Sequence, residues 1–545
     1  MIPIDPMIRC KPLPRRDILV GVAALGLALK TSFADAQTPP ATATMLSGIR
    51  RIAVDTVISD DIMMLPGAAF DIADGATLTL RGDMVTGGSR IFLGKGKVNL
   101  IQSRVLVARP EWWGAVAGDP KVDCRAAFTA CLNAHLAMEL GLGDYYFYDA
   151  LIISQHNRRI WGMSRIKDAG GTRLLRLGGD GPTVIVGTLK APGSINDYVR
   201  GVDMRWLEIT RTQTASPITA GGADPATGLE IRYVLDCLFE GLRSNEHAIG
   251  YSARGAVRSY LKDCTAFRST TNPSPAQDMF VGFDLGGRSG AGRSGGNASI
   301  FMIDCNASIG GKLKLATCVG TRLTGEISDT FIIRFETASL VDGILIDGQV
   351  SQLSSDSARA GHVDVRIEAP VLDQCSGTGI RIANLSDHAL FDLRDPYVAL
   401  APGNGTAIAI SDCGGNVDIS GGQLIGWVAL QSGGKPTGLD IKRSKGFSVT
   451  GLKLLEFGSA IICSDASAFE LSVAINRPDS QSADAAISLR KCRNGLVRPR
   501  ITGRADAYKS AVLVAGDAAT IKIDLSAVDT DAIAGDSIAK AKLKS

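Results

Sequence analysis

GIRIAN, residues Gly379–Asn384, reads as a small residue, alternating branched apolar side chains and a polar turn. The same phrase returns as TAIAIS from Thr406, GLDIKR from Gly438, SAIICS from Ser459, AAISLR from Ala485 and SAVLVA from Ser510. Its first apolar residues are Ile380, Ile408, Leu439, Ile461, Ile487 and Val512, separated by steps of 28, 31, 22, 26 and 25. Short strands on a beat near 26 residues, with no amphipathic helix between them, predict a stack of coils. Such a stack presents a long flat face, and a long flat face suits a long polymer.

Composition agrees with stacked coils. Gly is abundant (62 of 545 residues) and aromatics make up only 6%. Tight corners favour Gly, and narrow coils favour Val, Ile and Ala over rings. Lys and Arg number 58 against 55 Asp and Glu, a formal +3. Residues 1–36 hold five of the bases and three of the acids, so the remainder stands near +1, with no electrostatic case for nucleic acid.

Those first 36 residues read as an export signal. KPLPRRDIL carries adjacent Arg15 and Arg16, and the apolar run Ile18–Leu29 is too short to span a bilayer. Ala34-Asp35-Ala36 offers a small-x-small cleavage site. The paired arginines resemble a twin-arginine signal, which exports a protein already folded. The expected location is periplasmic or extracellular, with no later membrane span. Ten cysteines lie beyond the signal. Cys237, Cys264 and Cys305 each follow an Asp at a strand end and are expected to stack as buried thiols. Their Asp236, Asp263 and Asp304 suit left-handed bends.

Residues 37–47 read as a linker, 48–110 as an N-terminal β segment, 111–145 as a capping region, 146–530 as the coils and 531–545 as a polar tail. The capping helix is predicted from about Asp123 to Leu140, with Asp123 as N-cap and Phe128, Cys131, Leu132, His135 and Leu136 on one face. The run from TLTLRG (Thr77) through RPEWWGA (Arg109) to this helix, GDYYF (Gly143) and the coils resembles the pectate-lyase-like superfamily. Within it, the likeness is to the group of rhamnogalacturonase-type and epimerase-like proteins and many phage tailspikes. That group often opens its capping helix with an acidic D-D-x-A-A; here VDCRAA puts Cys124 in place of the second acid. The resemblance implies an all-β fold, a single-stranded right-handed parallel β-helix with an N-terminal capping helix. It leaves activity open, since such coils carry lyases, hydrolases, epimerases and inert spikes. A homotrimer, common among tailspike-like relatives, would place a site between subunits.

Candidate chemistry lies on the coils from 330 to 420. With Phe331, Ile333 and Phe335 inward, Arg334 and Glu336 point outward. With Val363, Val365 and Ile367 inward, Asp364, Arg366 and Glu368 point outward; Asp392 and Arg394 follow, then Asp418. Stacked, Arg334, Arg366, Asp392 and Asp418 form one column, and Glu336, Glu368 and Arg394 the next. Carboxylates on adjacent rungs would stand about 5 Å apart, near the separation a retaining glycosidase uses. Glu336, Glu368 and Asp392 are therefore the candidate catalytic residues, and Arg334, Arg366 and Arg394 the candidate substrate contacts. The bland reading is a salt-bridge lattice pairing Arg334 with Glu368 and Arg366 with Glu336.

Other signatures fail or rank lower. The polygalacturonase set is incomplete, with Arg165-Ile166-Lys167 too early, and Gly282-Phe283-Asp284 lacks the Pro-His of the alginate-epimerase motif. GAGRSG (Gly290–Gly295) precedes a strand rather than a helix, which argues against a dinucleotide turn. Asp278, Asp284, Arg288, Arg293 and the Glu246-His247 pair are secondary candidates. Three interruptions, Thr210–Ala226, Ser269–Gly296 and Gln349–Ala360, are candidate cleft walls. No cofactor is expected, with Ca2+ left open because isolated carboxylates form no recognisable calcium loop. The expected function is cleavage of an acidic polysaccharide by lyase or glycosidase chemistry, with a non-catalytic glycan-binding or adhesive tailspike-like protein as the alternative.

Overall fold

The computed structural model describes residues 43–541, apart from 88–89, 165–170, 179–180, 213–224, 270–278, 287–296, 311–314, 316, 326, 349–362, 478–482, 504–507, 517–519 and 529–537. The expected export signal, residues 1–36, and GAGRSG (Gly290–Gly295) lie outside the described residues. From Ala137 onward, 38 strands form one continuous parallel ladder. The architecture is the expected right-handed parallel β-helix.

Through the middle of the chain each strand pairs with the third one after it, so a coil has three sides. A first sheet contains Thr317–Thr324, Asp342–Asp347 and Thr378–Ala383. A second contains Asn297–Ile303, Ile327–Ile333, Val363–Glu368, Leu390–Arg394 and Asn416–Ser420. A third contains Asn306–Ile309, Glu336–Ala338, Val371–Cys375 and Tyr397–Leu400. Inward residues stack rung on rung: Ile332 meets Ile367, then Leu393, then Ile419, all essentially buried. Burying one such side chain contributes roughly 1.5–3 kcal/mol, and repetition sustains the length.

The small residue opening each beat has a steric reason. Gly250, Gly282, Gly320, Gly343 and Gly379 occupy successive rungs of the first sheet. A Cβ on any of them would come 2.5–2.6 Å from the carbonyl oxygen of the same position on the next rung. Farther along, Ala407, Ala460, Ala486 and Ala511 take this place.

Corners between sheets use left-handed backbone. Asp263, Asp304, Arg334, Ala369 and Asp395 turn from the second sheet to the third with φ of 50°, 54°, 50°, 48° and 48°. Each donates its backbone N–H to a carbonyl of the next rung, as Asp304 does to Ile333 (3.0 Å) and Arg334 to Glu368 (2.9 Å). The expected bend role of Asp236, Asp263 and Asp304 is observed. The thiol stack is not continuous: Cys264 and Cys305 follow this corner, whereas Cys237 follows the preceding one and donates its N–H to the Ser259 hydroxyl. All ten described cysteines are buried and free. Burial pushes the thiols of Cys237, Cys318 and Cys413 up to about 11. None of the ten should react with an alkylating reagent in the native protein, and mass spectrometry of the native and denatured chain checks this.

The ends depart from expectation. Residues 48–110 already form coils, three parallel sheets of three strands each, and the first strand, Thr44–Leu46, starts within the expected linker. The capping helix is Arg125–Ala134, ending before His135. The His135 ring bonds the backbone of Val105 and Ala137, which draws the chain into the first long-ladder strand, Ala137–Glu139. Asp123 accepts the N–H of Arg125, while Cys124 occupies the N-cap. Phe128 packs edge-on against Tyr145 and Phe147, so the helix lids the first coil. At the far end Ile538–Ala541 pairs with Tyr508–Ala515, inside the expected tail. No helix among the described residues is long and apolar enough to cross a membrane.

Candidate functional site

Two outward rows run along the second sheet, and they differ from the columns expected. Phe331 and Ile333 face outward while Ile332 is fully buried, because Arg334 occupies the corner rather than a strand position. The left-handed residue interrupts the alternation, and Phe335 turns inward beyond it. Arg366 therefore stacks on Phe331, not on Arg334; its guanidinium carbon lies 5.7 Å from the ring centroid. The first row continues from Arg366 to Asp392 and Asp418. The second runs Ile333, Glu368, Arg394, Ser420.

Glu336 stands apart from both. It lies on the third sheet, in register with Asn306 and Val371, so no column joins it to Glu368. The diagonal lattice also differs in its partners. Arg334 bonds Asp304 through two nitrogens at 2.5 and 2.8 Å, which holds that carboxyl below its ordinary range. Arg366 Nε donates to Asp392 at 3.2 Å, and Arg394 bonds both oxygens of Asp392 at 3.1 and 2.7 Å.

The structure thus brings together Arg366, Asp392, Arg394, Glu368 and Asp418. Asp392 and Asp418 are direct register partners on adjacent strands, which places their backbones about 4.8 Å apart. Their surroundings differ. Two guanidinium groups hold Asp392, whereas partial desolvation and then the charge of Asp392 raise the carboxyl of Asp418, which stays exposed at the surface. Two stacked carboxylates in unlike surroundings are an arrangement from which acid–base chemistry can be built.

Sequence reasoning places Asp418 beside Asp392 without nominating it. It misses the aromatic row upstream, Tyr260, Phe301 and Phe331, whose rings stack at 4.7 and 5.1 Å on successive rungs. A signal for the row does exist: each ring stands three residues before a corner residue, Asp263, Asp304 or Arg334. His247 is no exposed acid–base partner of Glu246. It is buried between Thr183 and Ser244, and burial followed by the charges of Arg211, Arg268 and Arg176 keeps it neutral. Glu246 instead accepts from Ser269. Asp284 is buried against Arg322 on Met279–Leu285, a strand that divides the expected middle interruption. Asp278, Arg288 and Arg293 lie outside the described residues. Among the described residues, no group of three His, Cys, Asp or Glu could hold a metal ion.

No protein-family model and no curated protein matches the chain. Solved structures do match. The pre-mature gene product 12 of bacteriophage phi29 superposes with a TM-score of 0.50 at 10% identity, over 80% of this chain and 56% of that one. The match is one of fold, the parallel β-helix. Other matches are a tailspike mutant of Escherichia coli bacteriophage HK620 in complex with a pentasaccharide (TM-score 0.49, 8% identity, 78% and 76% covered) and the family 28 exopolygalacturonase of Yersinia enterocolitica (0.41, 10%, 74% and 79%).

Proposed function

We propose that the chain is an exported, polysaccharide-degrading β-helix protein that binds an acidic glycan along its second sheet and cleaves it with Asp392 and Asp418. The observation that carries this reading is the direct stacking of two carboxylates in unlike surroundings. Asp418 is the proton donor to the leaving oxygen. Asp392 is the nucleophile or base, oriented by its ion pairs with Arg366 and Arg394. Side chains on adjacent rungs, about 5 Å apart, suit the retaining geometry. Glu368, next to Arg394 in register, adds charge beside the pair. Glu336, on the neighbouring sheet, becomes a contact rather than a catalyst. Arg15-Arg16 and the apolar run after them support export, and a set of free thiols suits a chain that folds before leaving a reducing compartment.

The engagement of Asp392 by two arginines favours one second reading, a glycan-binding protein without catalysis. A panel of acidic and neutral polysaccharides, assayed for new reducing ends and for unsaturated-uronate absorbance, separates the two. The expected result is new reducing ends from at least one acidic glycan, absent with Asp392→Asn. Unsaturated products would assign lyase chemistry. Binding without either product would assign the adhesive reading, and absence of binding to every glycan would refute both.

A further inference from the structure

Beside the aromatic row, one ring is held at a strained position. Trp206 sits at the corner between the second and third sheets with φ of 54°. The same corner carries Gly241, Asp263, Asp304 and Asp395 on other rungs. A bulky side chain in left-handed backbone costs on the order of 1–3 kcal/mol. Core packing does not offset it, because Trp206 is 49% exposed. Its indole lies over Gly241, where an added Cβ would approach Cδ1 to 2.6 Å, and Arg205 stands 5.9 Å from the ring centroid.

Tyr260 heads the stacked row, 41% exposed. Its free face turns toward Leu238 on the preceding rung, away from the Phe301 ring stacked behind it. An open cleft of about 730 Å³ runs over this rung and both its neighbours, toward the corner between the first and second sheets, and is lined by Asp236, Leu238, Arg258, Tyr260, Ser299 and Phe301. Three residues of strand and one rung separate Tyr260 from the corner under the indole, roughly 10–12 Å in all. That is the span of a di- or trisaccharide.

Between and beside the two rings lie paired charges. Arg205 bonds Asp203 and Glu240, Lys262 bonds Glu240 at 2.7 Å, and Arg258 bonds Asp236 at 2.8 Å. These three cations and three anions pair with one another, and Asp263 adds a further acid at the neighbouring corner. A lipid or an apolar peptide would have to desolvate all six, and a uronate would meet at least as many acids as bases. A neutral pyranose unit fits both features, an apolar C–H face for a ring and hydroxyls that both donate and accept.

We infer that Trp206 and Tyr260 form a subsite for neutral sugar units of the glycan, with Tyr260 four rungs and Trp206 six rungs upstream of Asp392, about 19 and 29 Å at roughly 4.8 Å per rung. The inference rests on the proposed function and deepens it. The polymer contains neutral pyranose residues and is not an unbroken polyuronate.

The test uses the full chain and β-1,4-linked hexamers of glucose, mannose, galactose and xylose, with a galacturonate hexamer as comparison. Binding is read by calorimetry and by quenching of indole emission. At least one neutral hexamer should bind more tightly than the galacturonate. Trp206→Ala and Tyr260→Ala should each weaken it roughly tenfold or more, and Trp206→Phe should recover most of the loss. Wild-type affinity in both alanine variants, with circular dichroism unchanged, would overturn the subsite, as would failure of every neutral hexamer to bind. If the alanine variants lose binding while Asp392→Asn retains cleavage, the acid pair is refuted and the subsite stands. Loss of cleavage in Asp392→Asn with unaltered binding in the alanine variants refutes the subsite and leaves the acid pair in place.

Discussion

Asp418→Asn should lower turnover by about 10²–10⁴-fold on the glycan that the wild type cleaves, while the protein melts no earlier than the parent at neutral pH. The two halves of this expectation share one cause. Partial desolvation and the neighbouring Asp392 raise the Asp418 pKa in the folded chain. A carboxyl whose folded value lies above its unfolded value favours folding only where it is protonated, below its unfolded pKa. As pH rises through the folded value, the charge is forced into an unfavourable place and that contribution is lost. An amide removes this neutral-pH penalty, so stability holds or improves as the proton donor disappears. Asp392→Asn removes the adjacent negative charge and should move the alkaline limb of any residual activity to lower pH. A pH–rate profile and a melting curve for each variant check these signs. An Asp418→Asn protein with full activity would remove the acid pair from the mechanism.

Gly320→Val should cost about 3 kcal/mol or more. Its Cβ would stand 2.5 Å from the Gly343 carbonyl oxygen, 2.5 Å from the Thr337 methyl and 3.1 Å from Leu340. Backbone lies on one side and a packed corner on the other, so no flexible side chain can yield. Ala407 supplies the control, because its rung already accommodates a methyl group. Ala407→Gly should cost only about 0.5–1 kcal/mol, through chain entropy. Urea titrations of both variants measure the contrast. Equal midpoints would mean that the coils slide past one another to absorb volume.

The coil repeat is legible in the sequence because it rests on side-chain size and branching, properties that a one-dimensional text carries directly. The Asp corners are legible because Asp tolerates left-handed backbone. Arg334 is not, since arginine has no such preference and takes the corner here in company with Asp304 on the previous rung. That exchange of corner for strand shifts Phe331 and Ile333 outward and parts Glu336 from Glu368. Farther along, where Asp395 and Gly421 mark the corners conventionally, the inward and outward assignments of Asp392, Arg394 and Asp418 agree with the structure. The helix ends earlier than its pattern suggests because His135 serves as a backbone bonding partner, a use that periodicity does not record. The aromatic row escapes a linear reading because its rings lie 30 to 41 residues apart in sequence and meet only once the coils are wound.

The uninterrupted ladder makes the molecule's length a counted quantity. Excising Arg322 through Ile344, one full circuit between Tyr260 and the acid pair, joins two equivalent positions and leaves the remaining strands able to pair. A cut of half that size would set inward faces against outward ones. Divergence in such a chain therefore proceeds by whole circuits, each moving the stacked rings one step nearer to or farther from the acids. A lineage can retune the size of the sugar chain it grips without altering any residue that touches it.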